Sequence, residues 1–173
     1  ECEKSWSKFG YKKTSVEELC TSSGISKGAF YLFFESKEAL FCETLCTVQN
    51  RLYSYSESIL KKNPNKEGFV QVLKAIFREY DRCGFLADTH GTDFTVFTNK
   101  LTKEQIEKIT EAGEKSANIL LNKSYLKFKM EREYVISILY TLLSTIAVKD
   151  ILPNNHIKVF DFLVDNLIDK IIE

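Results

Sequence analysis

Few side chains in this sequence are placed to do covalent chemistry. The two histidines, His90 and His156, lie far apart, and no HExxH, GxSxG, P-loop or GxGxxG pattern occurs. The acidic residues recur on helix faces, where solvation is their ordinary role. The five cysteines (Cys2, Cys20, Cys42, Cys46 and Cys83) are odd in number and lack CxxC spacing, which fits reduced thiols in a cytosol better than a disulfide framework or a zinc site. Cys42 and Cys46 share a helix face at i and i+4 and read as small buried apolar residues in preference to a redox pair. What remains lies between residues 14 and 37, where Thr14, Ser15, Ser26 and Lys37 bring hydroxyls and charge to helix starts. Such starts carry unpaired N–H groups and the positive end of the helix dipole, so they suit an anion such as a phosphate oxygen. The chemistry expected is binding; no enzyme activity, metal or cofactor is expected.

The elements that must position these groups are short helices. Ser15, with Glu18 three residues on, forms a capping box, and Val16, Leu19 and Cys20 make the apolar face of a helix ending before Gly24. Ser26 caps the next helix, roughly Lys27 to Phe33, and Ser36 caps one that opens Lys37-Glu38 and runs far into the fifties. Ahead of them, Cys2 to Phe9 reads as the end of a helix stopped by Gly10. Two capped helices joined by a Gly-containing turn follow the helix-turn-helix plan, whose second helix enters the major groove of DNA. Val16, Leu19, Cys20, Ile25, Phe30 and Phe34 are expected to converge on a miniature core, leaving Lys27, Gly28, Tyr31 and Leu32 toward solvent or DNA.

This stretch resembles the DNA-binding domain of the TetR family of bacterial transcriptional repressors. Trp6 takes the aromatic position four residues before Gly10-Tyr11. Thr14-Ser15-Val16, Gly24-Ile25-Ser26, Tyr31-Leu32-Phe33-Phe34 and Ser36-Lys37-Glu38-Ala39-Leu40 fill the rest of the pattern over about the first quarter of the chain. The resemblance implies phosphate contacts from Thr14 or Ser15, Ser26, Tyr31 and Lys37, and base-edge approach from Lys27, Gly28, Ala29 and Leu32. Gly28 lets the recognition helix approach closely, and Lys27 could donate to guanine O6/N7. Leu32 and Phe33 stand where members often carry polar residues, so a contact there is apolar, with thymine methyl groups or sugar edges as partners; packing of Phe33 on the following helix is the alternative. Family members usually have more residues before the position of Cys2. With Glu1 first and Met130 the only methionine, an N-terminal stretch of the DNA-facing helix is expected to be missing.

Beyond residue 46 the pattern stays helical. KKNPNK at 61–66 is a break, Glu67 to Arg82 is amphipathic with Phe69, Val70, Leu73, Ile76, Phe77 and Tyr80 inward, and Gly84 to Thr92 reads as irregular. Asp93 to Asn99 is short and aromatic, Thr102 caps a helix to about Asn122, Glu131 to Val148 is mostly apolar, and Pro153 precedes a last helix from Ile157 to Ile172. The expected fold is all-α: a three-helix helix-turn-helix domain over 1–46, then a helical ligand-binding and dimerisation domain over 47–173. By the family resemblance the middle helices form an effector pocket, assigned to Phe77, Tyr80, Phe94, Phe97 and Tyr140, with His90, Asp93, Thr95 and Thr98 as orienting polar groups; a plain aromatic core is the alternative. A dimer interface is expected from Ser137, Thr141 and Ser144 on one helix and from Phe160, Val164, Leu167 and Ile171 on the last, unless one of these is the central core helix of the monomer.

The 173 residues carry 24 Lys+Arg against 24 Asp+Glu, so the net charge is zero and DNA binding looks disfavoured until charge is placed along the chain. Residues 4–37 hold six lysines and three acids, a net of +3, while the remainder is slightly acidic. Only seven Gly and two Pro argue against a turn-dense β fold. No stretch has signal-peptide order, and no run of about 18 apolar residues is free of polar ones, so a cytoplasmic protein without a membrane span is expected. The implied function is a transcriptional regulator, a repressor released from double-stranded operator DNA by a small apolar or aromatic ligand and acting as a homodimer. An all-helical interaction protein or ligand-binding module without DNA binding is the alternative.

Overall fold

Side-chain capping sets several of the helix starts. The structure, a computed structural model, describes residues 1–88, 91–121, 126–152 and 154–173. Among these, ten α-helices follow one another: α1 (Cys2–Lys13), α2 (Val16–Ser23), α3 (Lys27–Phe33), α4 (Lys37–Lys62), α5 (Lys66–Arg82), α6 (Gly84–Ala87), α7 (Thr92–Thr98), α8 (Lys103–Leu121), α9 (Arg132–Ser144) and α10 (His156–Ile171). The expected caps are in place. Ser15 and Glu18 form a full capping box on α2, Gly24 closes it in the left-handed region (φ 68°), Ser26 accepts the Ala29 N–H and Ser36 that of Ala39. Thr102 and Gln105 cap α8 reciprocally, and Asn65 caps α5 through the Gly68 N–H. His90, Asn122 and Pro153 lie outside the described residues.

Three local expectations change. Gly10 interrupts α1 (φ 82°, ψ 170°) but the chain winds on to Lys13. The stretch after Gly84, expected to be irregular, contains the turn α6, because Phe85 and Leu86 are buried and their packing overrides the weak local signal. The apolar segment after Glu131 leaves the α-helix at Ser144 and continues as a 3-10 stretch, Thr145–Ile151. By length and composition alone Arg132–Ile151 is apolar enough to cross a membrane, which the sequence reading did not expect. Its residues divide into a buried stripe of Val135, Leu139, Leu142 and Ile146 and an outward stripe that includes Tyr134, Tyr140 and Val148.

The chain forms two compact units, each assembled from two segments. The first comprises Glu1–Asn50 and Arg82–Glu114; the second comprises Arg51–Asp81 and Lys115–Glu173. In the first, an aromatic cluster surrounds Trp6, which stacks on Phe85 (4.2 Å) and meets Phe41 at 4.7 Å and Phe97 at 5.0 Å. Tyr11 joins it against Phe41 and Phe97. This is why residues 82–114 return to the N-terminal helices: α6 and α7 supply half of the aromatic core.

In the second unit α5 and α10 run antiparallel. Phe77 stacks on Phe160 at 3.7 Å, and Lys66, Lys74 and Arg78 pair with Asp169, Asp165 and Asp161 in turn. Phe69, Val72 and Leu73 complete the inner face of α5, with Val70 and Tyr80 only half-buried. Phe128 and Ile172 make an isolated antiparallel bridge beside α10.

Candidate nucleic-acid interface

Helices α2 and α3 are held by a small apolar centre of Leu19, Cys20 and Phe30, each at most 4% exposed. Phe34 leans on Phe30 with ring centroids 5.5 Å apart. Ile25, expected in this centre, is instead 46% exposed in the turn, and Val16 is half-buried. Burying Phe30 turns the rest of α3 outward. Lys27 and Tyr31 make one outward strip and Gly28 and Leu32 the next, one helical turn apart in each pair, with Ala29 half-buried at the margin. Leu32 and Phe33 are 82% and 81% exposed, so Phe33 does not pack back on the following helix.

The polar groups fall into two classes. Lys27 pairs with Glu17 at 3.2 Å on the open surface, a contact worth ~1 kcal/mol or less and readily exchanged for a base edge or phosphate. Ser26 is exposed, and its oxygen, though accepting from Ala29, still carries a hydrogen to donate. Ser15 is exposed with its hydroxyl committed to Glu18, whose carboxyl this bond holds below the ordinary range. Tyr31 is 54% exposed.

The other class is turned inward. Thr14 is buried and donates its hydroxyl to the Gly10 carbonyl at 2.7 Å, so of the pair Thr14 and Ser15 only Ser15 faces solvent. Lys37 donates its ammonium to the Tyr11 carbonyl (2.5 Å) and lies 4.0 Å over the Tyr11 ring. Burial pushes its pKa below the usual lysine value. Its geometry is that of a strut between α1 and α4, an arrangement invisible in a motif that reads Ser-Lys-Glu.

Residues 3–44, which contain all of α2, α3 and their caps, match the model of the bacterial regulatory proteins of the tetR family. Through this segment the chain is similar to the tetR family. It is 32% identical over 124 residues to the HTH-type transcriptional regulator YerO of Bacillus subtilis (strain 168), covering 69% of this chain and 43% of YerO. A second B. subtilis relative, the HTH-type transcriptional regulator YhgD, is 27% identical over 131 residues, which cover 74% of this chain and 62% of YhgD. The matches thus span about half the length of these relatives. Among solved structures, the transcriptional regulator FadR from Bacillus subtilis, in complex with stearoyl-CoA, superposes with a TM-score of 0.72 at 16% identity, covering 95% of this chain and 92% of FadR. The reduced form of E. coli NemR gives 0.64 at 17% identity, over 97% and 91%. The tetR-type all-helical fold therefore extends over nearly the whole chain.

Of the five aromatic residues assigned to one pocket, Phe94 and Phe97 belong to the first unit, packed around Trp6, and Phe77, Tyr80 and Tyr140 to the second. Phe77 is stacked in the core, and burial with Tyr140 nearby raises the Tyr80 hydroxyl pKa. Thr95 and Thr98 donate to backbone carbonyls of their own turn. Phe160, Val164 and Ile171, assigned to a dimer interface, are each 1% exposed and form the core of the second unit instead, with Leu167 half-buried. On the same helix Phe162, at 65%, faces outward. Ser137, Thr141 and Ser144 do lie on the outward face of α9, their hydroxyls bonded to carbonyls of the preceding turn.

One residue of consequence was absent from the DNA-binding assignment. Asp93, at the start of α7, accepts backbone N–H bonds from Tyr11 and Lys12. No signal in the sequence joins residues 82 positions apart.

Proposed function

We propose that this chain is a DNA-binding transcriptional regulator of the tetR type that acts as a homodimer and is released from its operator by a small apolar ligand. The observation that carries the reading is the outward face of α3, where Lys27, Gly28, Tyr31 and Leu32 stand clear of the protein while Phe30 anchors the helix. Supporting the dimer is an apolar surface on α9 and α10 that includes Tyr134, Tyr140, Val159 and Phe162. A lone helix-turn-helix gains affinity and register from a second half-site one helical turn or a multiple away. Supporting an apolar effector is the likeness of fold to FadR, whose structure holds stearoyl-CoA. Release is then a population shift: ligand favours a conformer whose two α3 helices no longer match the half-site spacing.

The test is fluorescence anisotropy with duplex DNA from upstream of the gene and with duplexes selected from a random pool, at stated salt. Saturable binding at a defined palindrome is expected, and failure to enrich any duplex would overturn the reading. Lys27→Ala should relax base preference at one position per half-site more than it lowers overall affinity. Replacing single thymines by uracil removes only the methyl group. Loss of about fourfold at the position under Leu32, absent in Leu32→Ala, would assign that residue to a thymine methyl.

A further inference from the structure

The break in α1 at Gly10 leaves a helix restarting at Tyr11, and a restarting helix presents unpaired N–H groups. Both are taken by one carboxylate. Asp93 Oδ2 accepts from the Tyr11 N–H at 2.5 Å and Oδ1 from the Lys12 N–H at 3.0 Å. Gly10 is shaped to the same group: a Cβ there would lie 2.8 Å from Asp93 Oδ2, at a φ of +82° that side chains rarely adopt. The residues so held lead straight into Thr14, whose buried hydroxyl returns to the Gly10 carbonyl, and into Ser15, the cap of α2. From α4, Glu38 accepts the Tyr11 hydroxyl, and Lys100, just past α7, lies 3.7 Å from Glu38. Contacts from α4 and α7 thus meet at Tyr11 and Lys12, just ahead of α2.

We propose that Asp93 is a positioning residue for DNA binding. It lies outside the family-matched segment, and through the restart of α1 it sets the attitude of α2 and α3. This rests on the DNA-binding reading above. It also makes α7 one of the elements that hold the reading head within its unit, so a change that withdraws α7 lowers operator affinity without touching α3. Both carboxylate oxygens are used, and an amide supplies only one acceptor while turning its NH2 toward an N–H donor. Asp93→Asn therefore removes the grip at nearly constant volume.

The experiment compares wild type and Asp93→Asn in operator binding, in oligomeric state, and in amide proton shifts of 15N-labelled protein. Expected are an operator affinity lower by about tenfold or more, an unchanged oligomeric state, and displaced Tyr11 and Lys12 amide resonances, the signature of a lost charge-assisted bond. Should Asp93→Asn fail to fold, Gly10→Ala probes the same contact, because its methyl group meets the same carboxylate. Where Asp93→Asn does fold, combining it with Gly10→Ala should be no worse than the weaker binder alone. Wild-type operator affinity in either single variant overturns the proposal, as do unmoved Tyr11 and Lys12 amides in a folded Asp93→Asn. If wild type binds no DNA, the DNA-binding reading fails and the proposal falls with it, whereas displaced amides would still identify the carboxylate grip as a structural contact.

Discussion

Tyr11 shows how much of the reading head's order rests on single groups. It is 1% exposed, its hydroxyl donates to Glu38, its carbonyl takes the Lys37 ammonium and its N–H meets Asp93. Burial, reinforced by Glu38, raises the Tyr11 pKa, so the hydroxyl stays protonated and donating. Around Glu38, burial favours the neutral acid, but the Tyr11 hydroxyl with Lys100 and Lys37 outweighs it and the pKa falls below the usual value. Tyr11→Phe should cost about 1–3 kcal/mol at neutral pH, measured by urea denaturation. A depressed carboxyl stabilises the fold in full above its unfolded pKa of about 4.3 and loses that contribution as pH falls through the folded value. The gap between Tyr11→Phe and wild type should accordingly close on acidification; a constant gap would place the loss in packing. The capping groups Ser15, Glu18 and Ser26 were legible in the sequence because their partners lie three residues away. The inward turn of Lys37 and Thr14 was not, because it depends on a break in α1 and on the tertiary fit at Tyr11.

Between elements, magnitudes separate decoration from core. The three ion pairs joining α5 and α10 lie at the surface, with Asp165 and Asp169 more than half exposed, and pairs of that kind contribute about 0–1 kcal/mol. The stack of Phe77 on Phe160 is fully buried, and truncating such a ring costs about 3–5 kcal/mol. Asp165→Asn should therefore barely move the melting temperature while Phe160→Ala lowers it sharply, a contrast that differential scanning calorimetry would read; comparable shifts would mean that the charges carry the contact. The same pair of helices marks the limit of sequence reading. Period located α10 to within a residue, yet with Phe160, Phe162, Leu163, Val164 and Leu167 nearly encircling it, period could not say which face turns inward. That was settled by where Phe77 and the acidic ladder sit.

For the molecule as a whole, the exposed side of α9 and α10 and the modest charge of the head make separate predictions. Phe162→Glu should yield a folded monomer by light scattering with much weaker operator binding, whereas Phe160→Glu, in the core, should fail to fold; a wild-type protein already monomeric would dispose of the dimer. With six lysines over residues 4–37 in each protomer and Lys37 turned inward, the slope of log K against log salt should be about −9 or shallower for the dimer. The neutral total was legible at once, but the division into units was not. It depends on Trp6 stacking with Phe85, 79 positions away. That discontinuity has a practical meaning for anyone who recombines such proteins. A cut after the family-matched segment would strand Trp6 and Phe41 without Phe85 and Phe97, and would take Asp93 from Tyr11. Neither the excised segment nor a foreign sensor spliced on at its end should retain a native reading head. A chimera that keeps its grip on DNA must bring residues 82–114 from the same parent, so the swappable part of this chain lies in the middle and at the end.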